Sequence, residues 1–378
     1  MTLSVGFIGY RFIGRAHANA LARLPMFFPD APTTERDVLV GRDEAALAEA
    51  VDQLGFERYA TDWADVVEEI DVLYNLAPNN LHAEPSIAAL EAGTHVFCEK
   101  PLADTPEAAE EMADAAAESD ATDGVAFNYR FVPAVQHAKQ LIEDGFVGEV
   151  HHVRANYLQD WLVDPSAPWS WRNSEAVAGS GALGDLGAHS IDLAQFLIDD
   201  EITRLSGQLK TFVDERPVPG EDGGGLDAEG VEHVETRPVT VDDAYTAQVE
   251  FEDGAIGTFE ASRFANGHKN GKTIEINGSE GSIRFDLERL NELEVFDGGS
   301  RGFETVLVTD PDDPYIEQWW PPGHVVGWEH TFVHENYEFL SAAAAGEAHS
   351  PDFQAGLDVQ SLLDAVERSD ERGEWVEV

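Results

Sequence analysis

Residues 1–127 alternate short apolar runs with helical stretches, and few folds accept that alternation. Val5–Ile8 is apolar and is followed by a glycine-bounded turn and an alanine-rich helical stretch from Ile13 to Leu24. Asp37–Val40 reads as a second strand and Glu44–Leu54 as a helix. Val72–Leu76 and His95–Cys98 read as buried strands around the helix Ala83–Ala92, and the helix Pro106–Ser119 leads into Gly124–Phe127. Strands separated by helices join as right-handed βαβ units into a parallel, doubly wound sheet, the Rossmann arrangement. Such a sheet binds its ligands beyond the carboxyl ends of its strands.

From about residue 150 the signals change. Ala244–Phe251 and Ala255–Ser262 flank Glu252-Asp253-Gly254, and Thr273–Asn277 and Ser282–Asp286 flank Gly278–Gly281. Both are hairpin signals. They predict a second domain, residues 128–378, of α+β type with a large, mostly antiparallel open sheet. Thr331–Ala345 and Phe353–Val366 read as helices there, and the Gly-, Pro- and acid-rich stretch Asp214–Asp243 as an exposed loop. The fold class expected for the whole chain is therefore α/β in two domains.

Charge sets the surroundings. The chain carries 73 Asp and Glu against 23 Lys and Arg, a formal net charge of −50, and the acids are spread along its length. Repulsion of that size destabilises a compact state in dilute buffer and is screened at high salt. A halophilic protein is expected. No basic stripe is present to meet phosphates, which excludes nucleic acid as a partner. The single cysteine, Cys98, rules out an internal disulfide framework and fits a reducing cytoplasm. MTLSVGFIGY has no basic residue ahead of its apolar segment and reads as a first strand, and no apolar run is long enough to span a membrane.

Three motifs carry chemistry. Gly9-Tyr10-Arg11-Phe12-Ile13-Gly14 lies at the first strand–helix junction, where glycines let a pyrophosphate approach a helix N-terminus. Arg11 stands where the second glycine of G-x-G-x-x-G belongs. Cys98-Glu99-Lys100-Pro101 follows a strand, with Pro78, Asn79 and His82 at the end of the strand before it. Lys100 is one of only five lysines. In Gly179–Asp192, Asp185, His189 and Asp192 are spaced i, i+4 and i+7, one stripe of a helix that Leu186, Leu193 and Leu197 would anchor. An Asp beside a His orients the imidazole for general-base work. His330 and His334, with Glu335 adjacent, lack a third ligand, so no metal is expected. At the end of the second strand, Gly41-Arg42 offers no acid for a ribose and a cation for a 2′-phosphate, which favours NADP over NAD. Asp43 serving the ribose is the alternative.

The segments GFIGYRFIGRAHANA, APNNLHAEPSIAALEAGTHVFCEKPLADT and GALGDLGAHSID resemble the Gfo/Idh/MocA oxidoreductases, and the resemblance runs over nearly the whole chain. It implies a Rossmann domain, and the motifs above set its cofactor contacts at Gly9, Arg11, Phe12, Ile13, Gly14, Gly41, Arg42, Pro78, Asn79, His82, Glu99 and Lys100. A second α/β domain would hold the substrate and join homodimers or homotetramers through its sheet. Lys100, Asp185 and His189 would be catalytic, and Asp192 a substrate ligand. LPMFF, FNYR, NYLQDW and PWSWR are similar to the levoglucosan dehydrogenases of that family, which places Tyr129, Gln159, Trp161 and Arg172 around a sugar. The reaction implied is hydride transfer from a secondary carbinol of a sugar, anhydrosugar or cyclitol to NAD(P)+. An aldose 1-dehydrogenase, a redox-neutral NAD-dependent glycosidase and a non-catalytic NADPH sensor are the alternatives.

Overall fold

Strands β1 (Thr2–Ile8), β2 (Thr33–Val40), β3 (Arg58–Ala60), β4 (Val72–Asn75), β5 (His95–Cys98) and β6 (Asp123–Val125) form one parallel sheet in the order β3-β2-β1-β4-β5-β6. The helices between them are α1 (Phe12–Phe27), α2 (Glu44–Leu54), α3 (Ala83–Ala92) and α4 (Pro106–Glu118). A parallel sheet is covered on both faces, so its strands are apolar throughout. Val5, Phe7, Val38, Leu39, Val72, Leu73, Tyr74, Val96 and Phe97 are all fully buried. Asp43 caps α2 by accepting from Ala46 N at 3.1 Å, and Thr105 caps α4. β3 was not expected from the sequence. It is three residues long, and its pairing with Val38–Val40 makes it a strand rather than any pattern of its own.

This computed structural model describes residues 2–218 and 235–378. They fall into two compact units, Met1–Val132 with Tyr315–Asp358, and Pro133–Pro314 with Val359–Val378. A division at 127/128 assigns Tyr315–Asp358 to the second domain, but this segment clusters with the first unit. Its helix Trp328–Ala345 lies on α1, where Asn336 Nδ2 donates to His17 Nδ1 at 3.0 Å and Phe332 meets the His17 ring edge-on.

The second unit contains α5 (Pro133–Glu143), β7 (Val150–Leu158), α6 (Glu175–Ala178), α7 (Ala188–Ile198), β8 (Ile202–Lys210), β9 (Glu215–Pro217), β10 (Thr236–Pro238), β11 (Ala244–Phe251), β12 (Ile256–Ser262), β13 (Gly271–Gly278), β14 (Ser282–Asp286), β15 (Glu292–Phe296) and β16 (Glu304–Leu307). Counting Trp328–Ala345 as α8, α9 (Phe353–Arg372) and β17 (Val376–Glu377) end the chain. Nine strands pair in the order β16-β15-β14-β13-β7-β12-β11-β8-β17, antiparallel except for β7 with β12. Val153, Ala155, Ala247, Phe259, Ile274 and Phe285 point to the buried face, which α5 and α7 cover. Arg154, Gln208, Gln248, Thr258 and Glu260 lie on the other, polar face.

The exposed-loop expectation for Asp214–Asp243 fails at the ends of that stretch. β9 pairs with β10, and Arg216 is fully buried, donating to the carbonyls of Leu162 (2.7 Å) and Asp164 (2.9 Å). Val239, Val241, Asp242 and Asp243 are buried as well, and residues 219–234 lie outside the described residues. No helix among the described residues is long and apolar enough to cross a membrane.

Candidate active site

The first βα turn is shaped by missing side chains. Gly9 has φ +98, and a Cβ on it would lie 2.6 Å from Leu76 O. A Cβ on Gly14 would lie 2.7 Å from Gly9 O, so the helix starts tight against the turn. Arg11 is the N-cap of α1, and neither a side-chain cap nor an acid occupies the first turn of that helix. In so acidic a chain, this uncapped, acid-free start of α1 beside the exposed Arg11 fits a dinucleotide pyrophosphate. Phe12 is 47% exposed and stacks on Trp328 at 5.6 Å. Ile13 is half-buried on the same turn. Gly41 lies under Tyr10, whose Cε1 is 2.6 Å from where a Cβ would be, and Arg42 beside it is exposed.

The loops after β4 and β5 are locked together. Asn75 Nδ2 donates to the carbonyls of Leu81 and His82 and to Ser86 Oγ. His82 Nδ1 lies 3.1 Å from the carbonyl oxygens of Pro101 and Leu102, and Nε2 lies 2.9 Å from Ala77 O. Burial lowers the pKa of this ring. Fully buried, with both nitrogens close to carbonyl oxygens, His82 clamps the two loops together. Pro78 and the buried Asn79 start the turn that His82 ends. Glu99 is turned inward, one carboxylate oxygen 3.5 Å from His17 Nε2 and the other accepting from Lys100 N at 3.2 Å. Lys100 is half-buried at the head of the next loop, and Tyr129 is 4% exposed in a 3₁₀ turn of the same unit.

In the second unit Asp185 lies on a π-helical turn, Leu183–Gly187, whose widened ring is closed by Ala188 N donating to Leu183 O. His189 and Asp192 follow on α7, both buried. The three are therefore not one stripe of a continuous α-helix. A π-turn adds a residue to the ring, and one Asp185 oxygen meets Arg263 Nη2 at 3.2 Å. Leu186, Leu193 and Leu197 do anchor the segment.

A chain of contacts leads away from His189. Its ring lies 6.0 Å from that of Tyr157, whose hydroxyl donates to Asn270 Oδ1 at 2.7 Å. Gln159 Nε2 donates to the same oxygen at 2.8 Å, and Trp161 Nε1 donates to Gln159 Oε1 at 2.8 Å. The Arg172 guanidinium lies 4.4 Å over the Trp171 ring. Lys272, fully buried, donates to His189 O at 2.8 Å. Tyr157, Arg263, Asn270 and Lys272 were not singled out from the sequence. Their partners lie far away along the chain, and only the strand alternation of Tyr157 hinted at an inward side chain.

Among the described residues no three His, Cys, Asp or Glu side chains are grouped to hold a metal. Trp319 Nε1 donates to His334 Nε2, His334 Nδ1 lies 2.9 Å from Phe131 O, and burial pushes the pKa of this ring down to about 3.

Residues 3–127 match the oxidoreductase family with NAD-binding Rossmann fold, and residues 135–284 match the GFO/IDH/MocA C-terminal domain. The chain belongs to the GFO/IDH/MocA oxidoreductase family. Levoglucosan dehydrogenase of Pseudarthrobacter phenanthrenivorans is 42% identical over 100% of this chain and 98% of its own length. The crystal structure of an oxidoreductase domain protein from Kribbella flavida superposes with TM-score 0.94 at 46% identity, covering 100% and 99% of the two chains. A levoglucosan dehydrogenase complex with NADH and levoglucosan gives TM-score 0.93 at 41% identity, with full coverage of both chains. As a GFO/IDH/MocA oxidoreductase, the chain combines a dinucleotide turn in one unit with the GALGDLGAHSID segment in the other.

Proposed function

We propose that the protein oxidises a secondary ring hydroxyl of an anhydrosugar, pyranose or cyclitol, with NAD(P)+ as hydride acceptor. The observation that carries this reading is the run of neutral hydrogen-bonding groups from His189 through Tyr157, Asn270 and Gln159 to Trp161. Amides and an indole suit the hydroxyls and C–H faces of an uncharged polyol. Arg263 is committed to Asp185 and the Arg172 guanidinium lies over Trp171, so no dedicated clamp for a sugar phosphate or sugar acid is formed, although Arg172 alone could bind one.

When bound, the nicotinamide cofactor accepts the hydride. His189 takes the hydroxyl proton, Asp185 orients it, and Lys100 stabilises negative charge developing on the substrate oxygen. Gln159, Trp161, Arg172, Tyr129 and Asp192 hold the ring. NADP is the proposed cofactor, with Arg42 as its 2′-phosphate partner. A second copy of the chain is the proposed partner at the polar face of the nine-stranded sheet.

The test is a cofactor-reduction screen in molar KCl over levoglucosan, methyl glycosides, free aldoses and inositols. Reduction with sugars blocked at C1 is expected, because ring oxidation survives that block and lactone formation cannot. Turnover of free aldoses alone would make the protein an aldose 1-dehydrogenase. Hydrolysis without net NAD(P)H would make it a glycosidase, and inertness toward every polyol would point to a sensor.

A further inference from the structure

We infer that Arg263 is a positioning residue that holds Asp185, the Arg172 main chain and Trp161 in one arrangement, and that it keeps His189 a neutral base. Arg263 follows β12, and its backbone N donates to Asp243 O at 3.0 Å. Its side chain is 1% exposed. Nη2 pairs with Asp185 Oδ2 at 3.2 Å, Nη1 donates to Arg172 O at 3.2 Å, and the guanidinium carbon lies 5.7 Å from the Trp161 ring centroid. One planar group thus touches the π-turn, the loop carrying Arg172 and the Gln159–Trp161 segment. Only a fork of fixed geometry serves a carboxylate and a carbonyl together in this way.

The surroundings reinforce the arrangement. Asp242 accepts from Gly181 N at 2.7 Å and Leu183 N at 2.9 Å, which pins the start of the π-turn while Arg263 holds its middle. Lys272 fixes the backbone of His189 from β13. Tyr157 from β7 stands beside the imidazole and Lys272 from β13 on its backbone, with Asp185 four residues before and Asp192 three residues after it in the chain, while Arg263 faces Asp242, Asp243 and Arg216 as well as Asp185. Arg263 is buried and the Asp185 side chain is 25% exposed, so at 3.2 Å the charge of Arg263 opposes that of Asp185 at close range with only part of the screening of a surface pair. Without it, Asp185 would stabilise the imidazolium, a form that takes up no proton from substrate.

The inference rests on the dehydrogenase reading for its kinetic arm but not for its titration arm. The titration arm follows His189 by NMR in the full-length protein, identified by comparison with His189→Asn. Arg263→Met is expected to raise the His189 midpoint by roughly one pH unit and Asp185→Asn to lower it. Arg263→Lys should leave the midpoint in place yet lower kcat at least ~10-fold, with the KM for cofactor unchanged, because lysine keeps the charge but loses the fork. An unmoved midpoint in a folded Arg263→Met protein overturns the inference. If that variant does not fold, Arg263→Lys decides, and near-native kcat in it overturns the inference. A wild-type protein inert toward all polyols sinks the dehydrogenase reading instead, and the His189 midpoints still decide the role of Arg263.

Discussion

The ring of Tyr245 fills the space that a side chain at Gly187 would need: a Cβ there would lie 2.5 Å from Tyr245 Cε1 and 2.9 Å from its hydroxyl oxygen. Tyr245 stands on β11 and is 2% exposed, so it has nowhere to retreat. At the other end of the motif, a Cβ on Gly181 would lie 1.8 Å from Asp242 O. The glycines of GALGDLGAHSID therefore press the π-turn against the sheet and present Asp185 ahead of His189.

Gly187→Ala should accordingly cost stability and activity together. Overpacking a filled site costs about 1–3 kcal/mol, and relieving the clash shifts the turn that carries Asp185. A lower melting temperature and a lower kcat are expected, with cofactor binding retained. A variant with native melting and native kcat would show that the turn tolerates the displacement.

Lys100→Ala and His189→Ala should each lower kcat by roughly 10²-fold or more, since each removes charge or proton handling in the transition state. Cofactor titration by fluorescence should still saturate in both. Near-native turnover in either variant removes that residue from the mechanism.

The Rossmann half was legible because buried parallel strands such as Val72–Asn75 and His95–Cys98 stand out as apolar runs between helices. The motif positions were legible too, through their glycines and through a lysine in a chain poor in lysine. The π-turn was not legible, since i, i+4 spacing reads as ordinary α-helix until Asp242 and Tyr245 are seen to hold the segment open. Arg263 was invisible for a related reason. It is a lone cation at a strand end, and its partner carbonyl at Arg172 lies 91 residues away. The clamp at His82 was not legible either, because the carbonyls around its ring come partly from the next loop, about 20 residues on.

Glu367 on α9 makes stability fall as pH rises. Burial, with Asp242, Asp364, Glu175 and Glu371 nearby, pushes its carboxyl pKa up to about 7 from the usual 4.5. The folded state then binds a proton that the unfolded state has already lost, so stability is present below the unfolded value and declines through pH 7. Glu367→Gln should stabilise the protein at pH 8 by ~1–3 kcal/mol and change little at pH 4. Denaturant midpoints at the two pH values measure this, and an equal gain at both would mean that the carboxyl does not titrate in this window.

Salt should act in the opposite sense to its action on ordinary ion pairs. Exposed pairs such as Arg58 with Glu69 contribute about 0–1 kcal/mol each and are weakened by screening. A net charge of −50 makes repulsion the larger quantity, and screening relieves it. The melting temperature should therefore climb from dilute buffer to molar KCl. A flat or falling curve would contradict a halophilic origin of this composition.

The choice of cofactor turns on three consecutive residues. An acid at the end of β2 would grip the ribose 2′-hydroxyl and select NAD. Position 41 cannot carry one without moving Tyr10, because a Cβ there would lie 2.6 Å from the Tyr10 ring. Asp43 is two residues on, and its carboxylate accepts from Ala46 N at 3.1 Å as the cap of α2. Arg42 is left as the exposed polar side chain between them, and a guanidinium pairs with a phosphate in bidentate fashion. Against this stands the levoglucosan dehydrogenase solved with NADH, 41% identical to this chain. The expected outcome is a higher kcat/KM with NADP than with NAD, measured on one substrate in molar KCl. Because screening weakens an exposed contact, the preference should widen as salt is lowered within the range where the protein stays folded. Arg42→Asp should reverse the ratio by placing a carboxylate where the phosphate would bind. Equal or better kcat/KM with NAD in the wild type, unchanged by Arg42→Asp, would assign the ribose to Asp43 despite its capping bond.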